Sequence, residues 1–170
     1  MPKEALTRTG SWLALAACIV AADQLTKFLV VRSFAPGESA ALTSFFNLVL
    51  VLNPGAAFSF LSDQAGWQRG FFITIALTAS AWIVYLLVRH PRERLFALAL
   101  TLVLAGAMGN VIDRILVGAV IDFLDFHAAG YHWPAFNVAD SAITCGAVLL
   151  AWDALKPRRK DEGGGVKQEG

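Results

Sequence analysis

Charge is scarce in this chain: Asp, Glu, Lys and Arg make up 16% of its 170 residues, while 56% are hydrophobic and the mean hydropathy is +0.57. So little charge cannot cover a water-facing surface, and the composition is that of a membrane protein. Cysteine is almost absent too. Cys18 and Cys145 both lie in apolar stretches, where the thiol acts as a small hydrophobic group, and they define no disulfide framework. Also missing are His-Glu-x-x-His, Gly-x-Ser-x-Gly and a Gly-rich phosphate loop, so zinc peptidases, serine hydrolases and nucleotide enzymes lack their usual parts. The net charge of +1 says little about partners, and no nucleic-acid partner is expected.

What the chain has instead is four apolar segments, at 12–31, 71–88, 95–115 and 134–155, each close to the roughly 20 residues that a spanning helix needs. They predict an all-α membrane protein of four transmembrane helices. Most Lys and Arg residues (Lys3, Arg8, Arg89, Arg92, Arg94, Lys156, Arg158, Arg159, Lys160, Lys167) fall before the first segment, between the second and third, or after the fourth. The positive-inside rule assigns those regions, and both termini, to the cytoplasm. The first segment has the charged start of a signal peptide, but its length, its internal Asp23 and Lys27 and the three further spans predict a retained helix. Residues 1–155 then form one integral-membrane domain, and the charged, glycine-containing tail at 156–170 is expected to be disordered in the cytoplasm.

The outward regions are 32–70 and 117–133. Within the first, an apolar run is stopped by Asn53-Pro-Gly55 and resumes at 56–61, which predicts a small hairpin of two strands lying against lipid or over a site. The second opens on the acidic, aromatic stretch Val120-Ile-Asp-Phe-Leu-Asp-Phe126.

Polar residues interrupt three of the apolar segments at similar depth. At about 1.5 Å per residue, Asp23 lies about 22 Å from Arg8, Asn110 and Asp113 about 24 and 28 Å from Arg94, and Asp140 about 24 Å from Lys156. Across an apolar core about 30 Å thick these groups converge near the outer face. A carboxylate at such depth is costly and reads as functional. Asn137, Asp140 and Thr144 share one face of the last segment, which Ala147 and Ala151 extend as a small-residue packing stripe. Gly106, Asn110, Asp113 and Arg114 share a broad face of the third, and Asp23 and Lys27 form an i, i+4 pair on the first.

Each group also has a plainer role. Asp23 and Lys27 fit an ion pair at a helix end, Arg114 fits snorkelling to headgroups as well as neutralising a carboxylate, and Asn110 and Asn137 fit interhelical hydrogen bonds. Asp113, directly before Arg114, points elsewhere on its helix and reads as packing or capping. Asp122 and Asp125 have equal claims to pair with Asp140. His127 and His132 beside them match no specific ligand spacing, and no metal is expected. Ser141 has only Lys27 as a base at its depth, which weakens a Ser-Lys scheme. A proton-coupled transporter would place polar groups through the whole membrane, whereas the cytoplasmic halves here are nearly bare. A non-catalytic assembly protein would tolerate Asp122→Asn.

Four motifs occur in order over 23–141: Asp23-Gln-Leu-Thr-Lys27; Asn53-Pro-Gly-Ala-Ala-Phe58; Gly109-Asn-Val-Ile-Asp-Arg114 continuing to Gly118-Ala-Val-Ile-Asp-Phe123; and Phe136-Asn-Val-Ala-Asp-Ser141. Together they make the chain resemble the lipoprotein signal peptidases, or signal peptidase II, the membrane aspartic peptidases of bacteria. Ala105-Gly106, where that family often has two glycines, is a small departure that bears on helix packing, and Pro54 stands at a variable position.

The resemblance implies that Asp122 and Asp140 are the catalytic pair, with Asp23, Lys27, Asn53, Asn110, Arg114 and Asn137 as supporting and substrate-binding residues. It implies a prolipoprotein substrate whose cysteine carries diacylglycerol, cut N-terminal to that cysteine. The expected setting is the bacterial inner membrane, with the site near the outer face, membrane lipid as a partner, and a protein that functions as a monomer. No cofactor is needed, because two carboxylates sharing one proton can serve as general acid and base on water.

Overall fold

A computed structural model describes residues 3–55 and 67–156. Its elements follow in the order α1 (Lys3–Ser33), β1 (Ser39–Ala41), β2 (Phe46–Asn53), α2 (Trp67–Arg89), α3 (Arg94–Leu116), β3 (Val120–Ala128), β4 (Tyr131–His132) and α4 (Val138–Leu155). All four helices are long and apolar enough to cross a membrane. The tail at 157–170 and the second half of the expected hairpin, 56–61, lie outside the described residues.

Local chemistry sets where the helices stop. α1 begins well before the apolar segment, because the Glu4–Arg8 pair and the Thr9 and Ser11 hydroxyls, bonded one turn back to Ala5 and Thr7, carry the helix through the polar start. It ends ahead of Pro36-Gly37, and α2 ends where His90 precedes Pro91. At the end of α3 the N–H groups of Val117 and Gly118 both return to the Asp113 carbonyl, and Gly118 takes φ +88°, a left-handed stop that favours glycine. α4 starts at Val138 rather than 134. Residues before it are extended, with Phe136 exchanging backbone bonds with Leu124, and Asn137 then caps the helix by accepting the Asp140 N–H at 2.9 Å.

The sheet is larger than the expected hairpin. β2 does not depend on the chain just after Asn53 for its partners; it lies antiparallel between β1 and β3, in the order β1-β2-β3-β4. The segments 32–70 and 117–133 are thereby joined, with Phe46 opposite Phe126 at one end, Asn53 opposite Val120 at the other, and Val51 opposite Asp122 near that second end. An irregularity between Leu48 and Val51 shifts the register near that second end. One face of the sheet is anchored on the helices through Leu50, Ile121 and Phe123 against Val30, Phe34 and Val138.

The helices pack through small residues rather than through amphipathic stripes. A side chain on Gly106 of α3 would run into the Ala139 carbonyl and lie 2.6 Å from Ile143, so only glycine lets α3 and α4 approach this closely. The packed face of α4 is Ala139, Ala142 and Gly146. This corrects the expected packing stripe: Ala147 and Ala151 are exposed, because Gly146 fits against the α3 backbone at Ala99 and turns those two residues outward. Large apolar side chains such as Leu25, Phe28, Ile75, Trp82 and Trp152 remain exposed on the helices, as lipid contact requires.

Candidate active site

Where the C-terminal end of α3 meets the N-terminal end of α4, against the β2–β3 part of the sheet, a cavity of about 640 Å³ is lined by Asn53, Arg114, Asp122, Asp140 and Thr144, with Phe72, Trp133 and Phe136 as an apolar wall. Strand alternation delivers Asp122: residues three apart on β3 face opposite ways, so Asp122 enters this cavity and Asp125 does not. Helix capping delivers Asp140, which the Asn137 cap places in the first turn of α4.

Asparagine amides hold both carboxylates. Asn53 donates to Asp122 Oδ2 at 3.0 Å and Asn137 to Asp122 Oδ1 at 2.7 Å, while Asn110 donates to Asp140 Oδ1 at 2.7 Å. Asn137 and Asn110 also meet, at 3.3 Å, so the two carboxylates are joined through a chain of amides. The Asn53 amide is itself oriented, its Oδ1 accepting the Gly55 N–H at 2.9 Å. Burial is the main influence on Asp122 and raises its pKa, with the Asp140 charge adding to the rise; the Asn53 and Asn137 bonds and the Lys27 charge oppose it, and the balance stands at about 6. Asp122 therefore holds a proton well above the ordinary carboxylate range.

Behind this pair lies a buried ion cluster. Lys27 Nζ sits 2.8 Å from Asp23 and 2.7 Å from Asp113, with all three side chains almost fully out of solvent, and donates to Asn110 Oδ1 at 3.1 Å. The reading of Asp23 and Lys27 as a helix-end pair at the interface gives way to a three-charge core, because α3 brings Asp113 across to α1. Gly109 allows this approach, since a Cβ there would lie 2.6 Å from Asp23. Gln24 joins the same group, donating to Asp113 at 2.9 Å and lying 3.2 Å from both Asp23 and the Gly109 carbonyl. Pattern reads Asp113 as packing or capping, and it does not single out Gln24 at all. The i, i+4 spacing of Asp113 from Gly109 was the one local signal; its contact with Lys27 is made only by the packing of α3 on α1.

Arg114 faces the cavity rather than headgroups. Its guanidinium lies over the Phe72 ring at 5.1 Å, donates to the Asn110 carbonyl at 3.2 Å and is close enough to Asp140, Asp113 and Asp122 to interact with each charge. Ser141 donates to the Asn137 carbonyl at 2.9 Å, and Lys27 is fully engaged elsewhere, so no Ser-Lys pair forms. Asp125 belongs to a separate group on the other face of the sheet. Burial there favours its neutral form, but the Asn47 bond at 2.7 Å and the His132 bond and charge outweigh it and hold the carboxyl below its ordinary range. His127 stacks on His132 at 4.9 Å, and among the described residues no group of three or more His, Cys, Asp or Glu is arranged to hold a metal.

Comparison with known proteins places this arrangement. The model of the family described as signal peptidase (SPase) II matches residues 15–156, which include every residue of the cavity and of the ion cluster. The chain belongs to the signal peptidase II family. It is accordingly a peptidase of the aspartic type. Among relatives, the lipoprotein signal peptidase of Janthinobacterium sp. (strain Marseille) is 59% identical over 145 residues, spanning 85% of this chain and 88% of that protein. That of Cupriavidus taiwanensis is also 59% identical, over 149 residues, 88% of this chain and 85% of its own length. A solved structure described as a bacterial membrane enzyme superposes with a TM-score of 0.77 at 34% identity, covering 86% of this chain and 94% of the other.

Proposed function

We propose that this peptidase removes the signal peptide from prolipoproteins whose cysteine carries diacylglycerol, cutting on the N-terminal side of that cysteine, with Asp122 and Asp140 as the catalytic pair. The observation that carries the reading is the pairing itself: two carboxylates from different elements line one cavity, each fixed by an asparagine amide, with the Asp140 charge helping to raise Asp122.

The chemistry follows from one shared proton. The ionised member of the pair takes a proton from a water molecule in the cavity while the protonated member hydrogen-bonds the scissile carbonyl. As the tetrahedral intermediate collapses, the first carboxyl returns its proton to the leaving amine. Arg114 supplies a fixed cation over the same cavity for substrate carbonyls, and its stacking on Phe72 holds it there. The apolar wall suits an acylated substrate whose signal helix lies in lipid.

The remaining expectations enter the same proposal. The basic residues before α1, between α2 and α3 and after α4 put both termini in the cytoplasm, so the sheet and the cavity face the outer side of the bacterial inner membrane. The protein acts as a monomer, with lipid as its other partner and no cofactor.

The test is cleavage of a diacylglyceryl-modified prolipoprotein by purified protein in detergent containing EDTA. Wild type should cut, and Asp122→Asn and Asp140→Asn should each lose at least about 10³-fold in turnover while remaining folded, the scale on which a paired catalytic group acts. Near-normal turnover in either variant would remove that aspartate from the pair.

A further inference from the structure

Resting on that reading of Asp122 and Asp140, we infer that Asp113 is a positioning residue for Asp122, acting with Lys27 and Asp23 as a charged clamp that sets the spacing of the pair. The geometry is symmetrical in its logic. Asp23 accepts the backbone N–H of Ala139, the residue before Asp140, at 2.8 Å, and Asp113 accepts the backbone N–H of Ile121, the residue before Asp122, at 3.2 Å. Lys27 joins the two acceptors, at 2.8 and 2.7 Å. One cation on α1 thus fixes the backbone immediately ahead of both dyad residues, one on a strand and one on a helix.

Burial makes the clamp stiff. Asp23 is 0%, Lys27 1% and Asp113 2% exposed, so none of the three has water as an alternative partner, and loss of any one strands a charge in a low-dielectric interior. Gln24 fills remaining acceptor capacity on both carboxylates, and Asn110 relays the Lys27 contact directly to Asp140. A cluster serving only to hold α1 against α3 would have no need of the two backbone amides next to the dyad. Such cores are often replaceable by neutral residues without loss of stability, so the retained charges point to position rather than to stability.

The groups facing Asp122 are Asn53 from β2, Asn137 at the cap of α4, Asp140 from α4, Arg114 from α3 and Lys27 from α1, and Asp113 reaches Asp122 through Lys27 and the Ile121 N–H. Asp113→Asn removes the anion that compensates Lys27, and it slackens the hold on Ile121. The less compensated Lys27 charge favours ionised Asp122. The variant is therefore expected to lose about 10- to 100-fold in kcat, the cost of misplacing a catalytic group by about an ångström, with KM little changed. The descending alkaline limb of its kcat/KM profile should move to lower pH. A purely structural role would lower Tm and the fraction of active protein but leave the limb in place.

Asp113→Asn, Asp122→Asn and wild type would be assayed together across pH on the diacylglyceryl prolipoprotein. Should Asp113→Asn fail to fold, Lys27→Met with Asp113→Asn keeps the net charge of the cluster; with the Lys27 charge gone the limb is not expected to move to lower pH, so its reading is the loss of kcat, and a normal kcat in the double variant overturns the clamp. If wild type does not cut, or Asp122→Asn stays active, the proposed reaction falls and the clamp with it. If wild type cuts and Asp122→Asn is dead while Asp113→Asn keeps normal kcat and an unmoved limb, the clamp alone is overturned.

Discussion

Asp122 is held by two amides that pull against its burial, and this balance predicts the pH behaviour. With its pKa at about 6, the singly protonated pair persists up to that pH and is lost above it, so kcat/KM should fall as pH rises through about 6. Asn53→Ala removes the hydrogen bond that most favours ionised Asp122, so its pKa should rise further and the descending limb should move to higher pH. This shift is opposite in sign to the one expected of Asp113→Asn. A pH series of kcat/KM on both variants checks the pair, and a limb that stays in place in Asn53→Ala would show that the amide does not govern the titration.

Among the elements, the contact of α3 with α4 carries the greatest strain on sequence choice. Gly106 lies against the carbonyl of Ala139, whose N–H is held by Asp23 one residue before Asp140. Gly106→Ala should push α4 away, costing about 1–3 kcal/mol by overpacking, and should lower turnover through the displaced Asp140. Thermal unfolding in detergent and the cleavage assay would be measured together. Unchanged values for both would show that the helices yield without moving the site. The sheet makes a comparable demand, since Asn53 reaches Asp122 only because β2 and β3 pair in the observed register.

At the scale of the whole molecule, the proposed orientation rests on the clustering of basic residues. Single cysteines introduced at Arg92 and at Tyr131, in a background with Cys18 and Cys145 replaced by alanine, should label from opposite sides of the membrane: Arg92 only after the cytoplasmic face is opened, Tyr131 from outside. Both positions are well exposed, so access decides the outcome. Labelling of both from one side would rule out the proposed topology, and labelling with the sides exchanged would invert it.

The apolar runs by themselves determined that this chain builds four membrane-length helices, because hydrocarbon admits little else, and the depth of Asp23, Asn110, Asp113 and Asp140 along those runs brought polar groups to one end. The motifs carried the family. Pattern left Asp122 and Asp125 equal and the resemblance to the family chose Asp122; the tertiary structure adds the physical reason, since the pairing of β3 with β2 puts Asp122 in the cavity with Asp140 and Asp125 outside it. It also decided that β2 joins β3 across the sequence, that α4 packs on Ala139, Ala142 and Gly146, and that Asp113 belongs with Lys27. Each of these depends on contacts between segments far apart in the chain, about which local periodicity carries no information.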